Sequence, residues 1–141
     1  MSDRSWALLF VRLLLGLIFF MAGTWKVFDL GPVEHARQFF VNDYADSFLP
    51  TWLLWIAGRT TSVVGLVAGA MLLVGLRVRA ALLALAGVLV MVTFGHLLAV
   101  PLYAFNTHVV PRALMVFVLL WAPRGADVAT LDRWLERRRV P

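Results

Sequence analysis

The sequence predicts an all-α integral membrane protein: an up-and-down bundle of four helices with both termini in the cytoplasm. Three observations carry that prediction. The chain of 141 residues is 62% hydrophobic and 15% charged, with a mean hydropathy of +0.85, too apolar for an ordinary soluble domain and too short for more than one core. Its apolar residues gather into four runs without period-2 alternation, and in hydrocarbon such runs satisfy their backbone groups only as helices. Its basic residues collect at one set of run ends, which the positive-inside rule assigns to the cytoplasm.

A hydrocarbon core of about 30 Å needs about 20 helical residues. The predicted spans are 6–28, 51–76, 80–100 and 109–122, the last being the shortest, all within a single transmembrane domain covering 1–141. Arg4 precedes the first span, Arg77 and Arg79 mark a tight turn between the second and third, and Arg124, Arg133 and Arg137 to Arg139 follow the fourth. The opposite side receives an outer loop over 29–50, with Asp29, Glu34, Asp43 and Asp46 against Arg37, and a short loop around 101–111. Trp6, Trp25, Trp52, Trp55 and Trp121 fall near span ends, where an indole ring prefers the headgroup level.

In the outer loop, Pro32 suits a first helical position, and Val33, Ala36, Phe39 and Phe40 recur at helical spacing. They predict a short amphipathic helix lying on the surface or dipping into it, as a connector or as a lid. After the fourth span, Asp127 can cap an interfacial helix over 127–139 with Val128, Leu131, Trp134 and Leu135 on one side, held by its arginines to anionic lipid. The first run lacks a small-residue cleavage site and is expected to stay in the mature protein.

Several chemistries are not expected. The chain has no cysteine, so it has no thiol redox chemistry or thiolate metal ligands of its own. A net charge of +5 and a pI near 11.1 do not indicate nucleic acid, because the arginines flank apolar runs. There is no HExxH, no paired carboxylate, no Ser/His/Asp pattern and no glycine-rich phosphate loop, so no metal site is expected. No acid lies inside a span, which disfavours a carboxylate proton relay.

What remains is a short set of polar residues in or beside the spans, each costly in lipid and a functional candidate by default. On the first helix, Arg12, Phe19, Gly23 and Lys26 share a face, with Gly16 nearby. Arg12 lies about 9 Å past Trp6, within snorkelling reach of the headgroups, as an anchor or as a buried ion partner. Lys26, Arg59, His96 and Arg112 come from four different helices and reach the same outer depth. Together they would form a cationic pocket with one titratable imidazole, suited to a quinone or quinol headgroup, a small anion or a lipid phosphate. Alternatively they form a girdle in which each meets water or lipid separately. Haem is not expected, because His35 and His108 fall in predicted loops and leave His96 without a second histidine at its depth. On the second helix, Gly65 and Gly69 mark a close-packing face whose partner, the first helix or another subunit of a homo-oligomer, is open.

These residues resemble a family. Arg12, Gly16, Phe20, Gly23 and Lys26 are similar to the R…G…F…G…K signature of the DoxX-like small membrane proteins. The glycine-spaced second helix ending in Gly75-Leu-Arg-Val-Arg79, and Leu131-Asp132 in the tail, resemble the same family. The resemblance implies a four-helix bundle in a prokaryotic cell (inner) membrane, associated with membrane oxidoreductase systems that include a thiosulfate:quinone oxidoreductase and an oxidative-stress complex. With the cationic pocket it points to a membrane or redox subunit as partner, and a quinone stands among the candidate ligands of that pocket. One departure stands out: the family often has a glutamate early in the second span, where this chain reads Val63-Val64-Gly65 with Arg59 upstream. The expected function is that of an accessory or quinone-interacting subunit, with a non-enzymatic scaffold or assembly factor as the alternative.

Overall fold

The first apolar run folds as α1, Asp3–Thr24. Ser2 caps it, its hydroxyl accepting the Ser5 N–H at 3.3 Å, and Asp3 adds a negative charge to the first turn. The computed structural model describes residues 2–100, 107–124, 126 and 130–139, with the backbone alone at 136, 137 and 139. The loop residues 101–106 and the proposed cap Asp127 with Val128 lie outside the described residues.

At its far end α1 widens into a π-helical turn, Trp25–Asp29, closed by the Leu30 N–H on the Trp25 carbonyl at 2.9 Å. Gly31 then takes φ +87, a conformation that favours glycine, and Pro32 starts α2, Pro32–Ala36. A second π-helical stretch, Arg37–Asn42, follows. The long helices α3, Thr51–Val74, and α4, Val78–Ala99, come next, then α5, Val109–Trp121, and α6, Leu131–Arg139. Among the described residues there is no strand. Three segments, Asp3–Asp29, Thr51–Val74 and Val78–Ala99, are long and apolar enough to cross a membrane. The fourth, α5, is apolar but has 13 residues, about 20 Å of helix.

Packing explains the order. α1 and α3 run antiparallel in the closest contact of the bundle: an added methyl at Gly23 would lie 2.5 Å from Leu66 Cα, and one at Gly69 would lie 2.5 Å from Phe20 N. The small-residue stripe of α3 therefore meets α1 of the same chain. α4 packs on α3, α5 packs on α4, and α5 returns to α1, which closes the ring of four. Leu15, Leu72, Leu82 and Leu85 are fully buried at its centre, and Leu8, Leu89, Val116 and Leu119 extend the same core.

The α3–α4 turn sets the end nearest the arginines. Gly75 at φ +71 ends α3 in a Schellman arrangement, with its N–H on Leu72 O at 3.3 Å and the Leu76 N–H on Met71 O at 2.9 Å. Arg77 follows at φ +44, a left-handed conformation that costs a side-chain-bearing residue about 1–2 kcal/mol. Arg12, expected as a surface anchor or a buried partner, is the latter: it is 1% exposed, and its guanidinium donates to the Leu72 carbonyl and, at 3.3 Å, to the Leu73 carbonyl. It neutralises the partial negative charge of the α3 C-terminus.

Candidate functional site

The leucine core ends at Leu89 on α4 and Val116 on α5. Beyond it, towards the opposite end, three adjoining cavities share Val92 and His96. The largest, about 740 Å³, is bordered by Lys26, His35, Asp43, Tyr44, His96 and His108, with Trp25, Phe39 and Phe40 as aromatic walls. A second, about 230 Å³, reaches down between α1, α4 and α5 and brings Lys26, His96, His108 and Arg112 together. The third, about 140 Å³, is an apolar recess between α3, α4 and Tyr44.

Each polar group is delivered by a local feature of the chain. Lys26 belongs to the π-helical turn, whose extra residue re-aims side chains relative to an ideal helix. His96 lies in the last turn of α4, and His108 immediately precedes α5. Arg112 donates to the His108 carbonyl at 2.8 Å, tying it to the start of α5.

His35 is the best-fixed member. It is 4% exposed, buried against α3 because Gly58 lets α2 come down onto the α3 backbone; a methyl at Gly58 would lie 2.6 Å from Ala36 Cα. His35 Nδ1 lies 3.1 Å from the Gly58 carbonyl and 2.8 Å from Ser62 Oγ, and Ser62 Oγ is 3.1 Å from the same carbonyl. A carbonyl only accepts, so the consistent assignment has the Ser62 hydroxyl donating to Gly58 O and Nδ1–H shared between Gly58 O and Ser62 Oγ, leaving Nε2 as the nitrogen with which His35 can act. Phe39 and Phe40 flank the imidazole at centroid distances of 5.3 and 5.7 Å. Burial lowers the His35 pKa from its usual 6.5, the nearby Lys26 charge lowers it further, and the Gly58 bond opposes the shift. The imidazole is therefore neutral at pH 7.

Of the residues expected at this level, Lys26, His96 and Arg112 share a cavity, whereas Arg59 lines none of the three. Arg59 is exposed on α3 with its guanidinium 5.1 Å from the Trp55 ring centroid. The reason is angular: the buried stripe of α3 runs through Gly58, Ser62, Gly65 and Gly69, and the residue after Gly58 is turned about 100° away. Conversely His35, Tyr44 and His108 border the large cavity although the sequence placed them in loops. The expected apolar face of the outer helix also shifts, because His35, Ala36 and Tyr44 are buried while Val33 and Phe39 are exposed. The π-helical stretch lengthens the repeat, so the buried face passes through Phe40 to Tyr44, whose N–H reaches the Phe40 carbonyl at 3.1 Å.

Once α3 is known to pair with α1, the cover of its other end follows. Antiparallel pairing of α1 with α3 exhausts α1 before Gly58, so the small residues at that end of the stripe need another cover, and the segment opened by Pro32 is the one available. Among the described residues no group of three or more His, Cys, Asp or Glu side chains is arranged for a metal ion.

A profile of the DoxX family matches residues 7–97, a stretch that includes Arg12, Lys26, His35 and His96. Comparison with curated proteins and with solved structures gives no significant match.

Proposed function

Because this chain belongs to the DoxX family and is a multi-pass membrane protein, we propose that it serves as a quinone-interacting or accessory subunit of a membrane oxidoreductase system. The observation that supports this reading is the large cavity, where Lys26, His35 and His96 meet between aromatic walls. Flat apolar walls suit a planar ring, and a few converging polar groups suit its oxygens, the usual composition of a small-molecule site. A bound quinone supplies two-electron, two-proton redox chemistry. The ammonium of Lys26 is the group to stabilise negative charge developing on a ring oxygen. His35, neutral and with Nδ1 held, can accept or return a proton through Nε2. Having no cysteine, the chain relies on a bound cofactor or a partner protein for electrons. In this reading the arginine-rich ends and both termini face the cytoplasm of a prokaryotic cell, and the cavity lies at the outer leaflet.

The scaffold alternative draws on the small-residue face of α3 and on the amphipathic C-terminal tail, as surfaces that recruit a larger protein. The α3 face is occupied within the chain by α1 at Gly69 and by α2 at Gly58, which leaves that alternative the tail alone.

The test uses the tryptophan that borders the cavity. In nanodiscs, a soluble quinone analogue should quench Trp25 fluorescence saturably. His96→Ala and Lys26→Met should weaken binding about tenfold each, the loss of roughly one charge-assisted hydrogen bond. Arg59→Ala should leave it unchanged. Equal binding by the wild type and the first two variants would overturn the assignment.

A further inference from the structure

The arginine-rich end of the bundle holds a separate cavity of about 470 Å³, within the size range of ligand sites. Arg77 from the α3–α4 turn, Arg79 from the first turn of α4, Arg124 after α5 and Arg133 from α6 all border it. One carboxylate, Asp132, accompanies these four guanidinium groups. Among the described residues, no ion pair is formed by Arg77, Arg124 or Arg133. Apart from Thr130 the remaining wall is apolar, with Leu8, Val78 and Leu119 contributed by three different helices.

We propose that this cavity is a binding site for the phosphate headgroup of an anionic phospholipid. Like charges brought into one concavity repel one another unless an anion joins them, and planar guanidinium forks match phosphate oxygens in pairs. The convergence is built rather than incidental. Arg79 Nη2 donates to the Ala122 carbonyl at 2.8 Å, which anchors the side chain on the end of α5. The Asp132 N–H donates to the Gly75 carbonyl at 3.3 Å, docking α6 so that it carries Arg133 to the turn. Arg77 itself is held at φ +44, a conformation that recurs at functional positions in folded chains. The apolar wall selects the source. A free phosphate has no use for Leu8, Val78 and Leu119, whereas the glycerol and first acyl carbons of a lipid would lie against them. A basic pocket between transmembrane helices is a recognised setting for such headgroups. This site is independent of the quinone reading, since it shares no residue with the cavities at the other end.

The experiment places the full chain in phosphatidylcholine nanodiscs with and without phosphatidylglycerol and follows thermal unfolding by tryptophan fluorescence. Native mass spectrometry of the detergent-purified protein reads retained lipid. Phosphatidylglycerol should raise the unfolding temperature of the wild type and remain bound on purification. Arg124→Gln combined with Arg133→Gln should weaken that binding roughly thirtyfold, the size expected for two arginines lost from an anionic surface. Arg77→Gly should raise the unfolding temperature in phosphatidylcholine alone, by relieving the left-handed backbone, yet diminish the phosphatidylglycerol-dependent rise. Arg4→Gln, outside the cavity, should change neither. If the double glutamine variant does not fold, Arg124→Lys with Arg133→Lys keeps the charge, removes the paired geometry and should still bind more weakly than the wild type. Phosphatidylglycerol dependence that is equal in wild type and variants would overturn the proposal. So would an equal rise produced by inorganic phosphate, which would assign the cavity to a free anion.

Discussion

Arg12 occupies a position where a charge is costly to bury, and its partners include the backbone carbonyls of Leu72 and Leu73 at the end of α3. A charge-assisted hydrogen bond contributes about 1.5–3 kcal/mol. Arg12→Met should therefore destabilise the protein by about 2 kcal/mol, and Arg12→Lys, which keeps the charge for the helix dipole but loses the fork, should fall between the two. Reversible unfolding in mixed micelles measures both. His35 makes a prediction of opposite character. Its folded pKa lies below the unfolded value of 6.5, so the unfolded state binds more protons between those two values and stability falls as pH decreases through that window. The stability is fully present above about 6.5. His35→Gln should flatten the dependence, read as unfolding midpoints from pH 7.5 down to pH 5. At this scale Lys26, His96 and Arg112 were legible as candidates because an ionisable residue in an apolar run stands out. His35 was not, since in a polar loop nothing in composition separates a buried histidine from a solvated one.

Helices in this bundle approach as closely as their glycines allow. At Gly23 and Gly69 an added methyl meets backbone atoms of the facing helix, while at Gly87 nothing lies within 4 Å. Gly23→Ala and Gly69→Ala should each cost about 1–3 kcal/mol by forcing α1 and α3 apart. Gly87→Ala should be neutral or stabilising by up to about 1 kcal/mol, from helix propensity alone. Gly58 has a different role, because its neighbour is α2. Gly58→Leu should lift α2 off α3 and release His35, which would appear as faster hydrogen exchange over 32–42 with α1 and α4 protected as before. Equal protection of that segment in the variant would show that α2 is held by other contacts. The GxxxG spacing of α3 was visible in the sequence, and its partner was not, because a stripe of small residues fits any helix that arrives at it.

Across the whole molecule, packing is uneven. The arginine-rich end carries the leucine core, the helix-end contact of Arg12 and the docked α6, whereas the other end is hollowed by adjoining cavities. Both ends nevertheless hold space for a ligand, the far end in its adjoining cavities and the arginine-rich end in the one that the docked α6 borders. The proposed orientation can be checked directly, because the chain has no cysteine and single thiols can be introduced at exposed positions. In intact cells a membrane-impermeant maleimide should label Asp46→Cys, in the outer loop, and should label Ala80→Cys, beside the α3–α4 turn, only after permeabilisation. The reverse pattern would invert the orientation.

By itself the sequence determined the fold class, since apolar runs with nowhere to satisfy their backbone except in helices leave a chain little choice. It also sets an expected depth, because a helix advances by a constant rise per residue, which puts Lys26, Arg59, His96 and Arg112 near one level. Tertiary structure decided which of them meet. Direction around each helix axis depends on which face packs inward, and that was settled by Gly23 on Leu66, Gly69 on Phe20 and Gly58 on Ala36. Those contacts turn Arg59 outward and bring His35 in. They also give Arg12 the end of α3 as its partner, a placement that no periodicity in α1 could supply, because the carbonyls it meets lie 60 residues further along the chain.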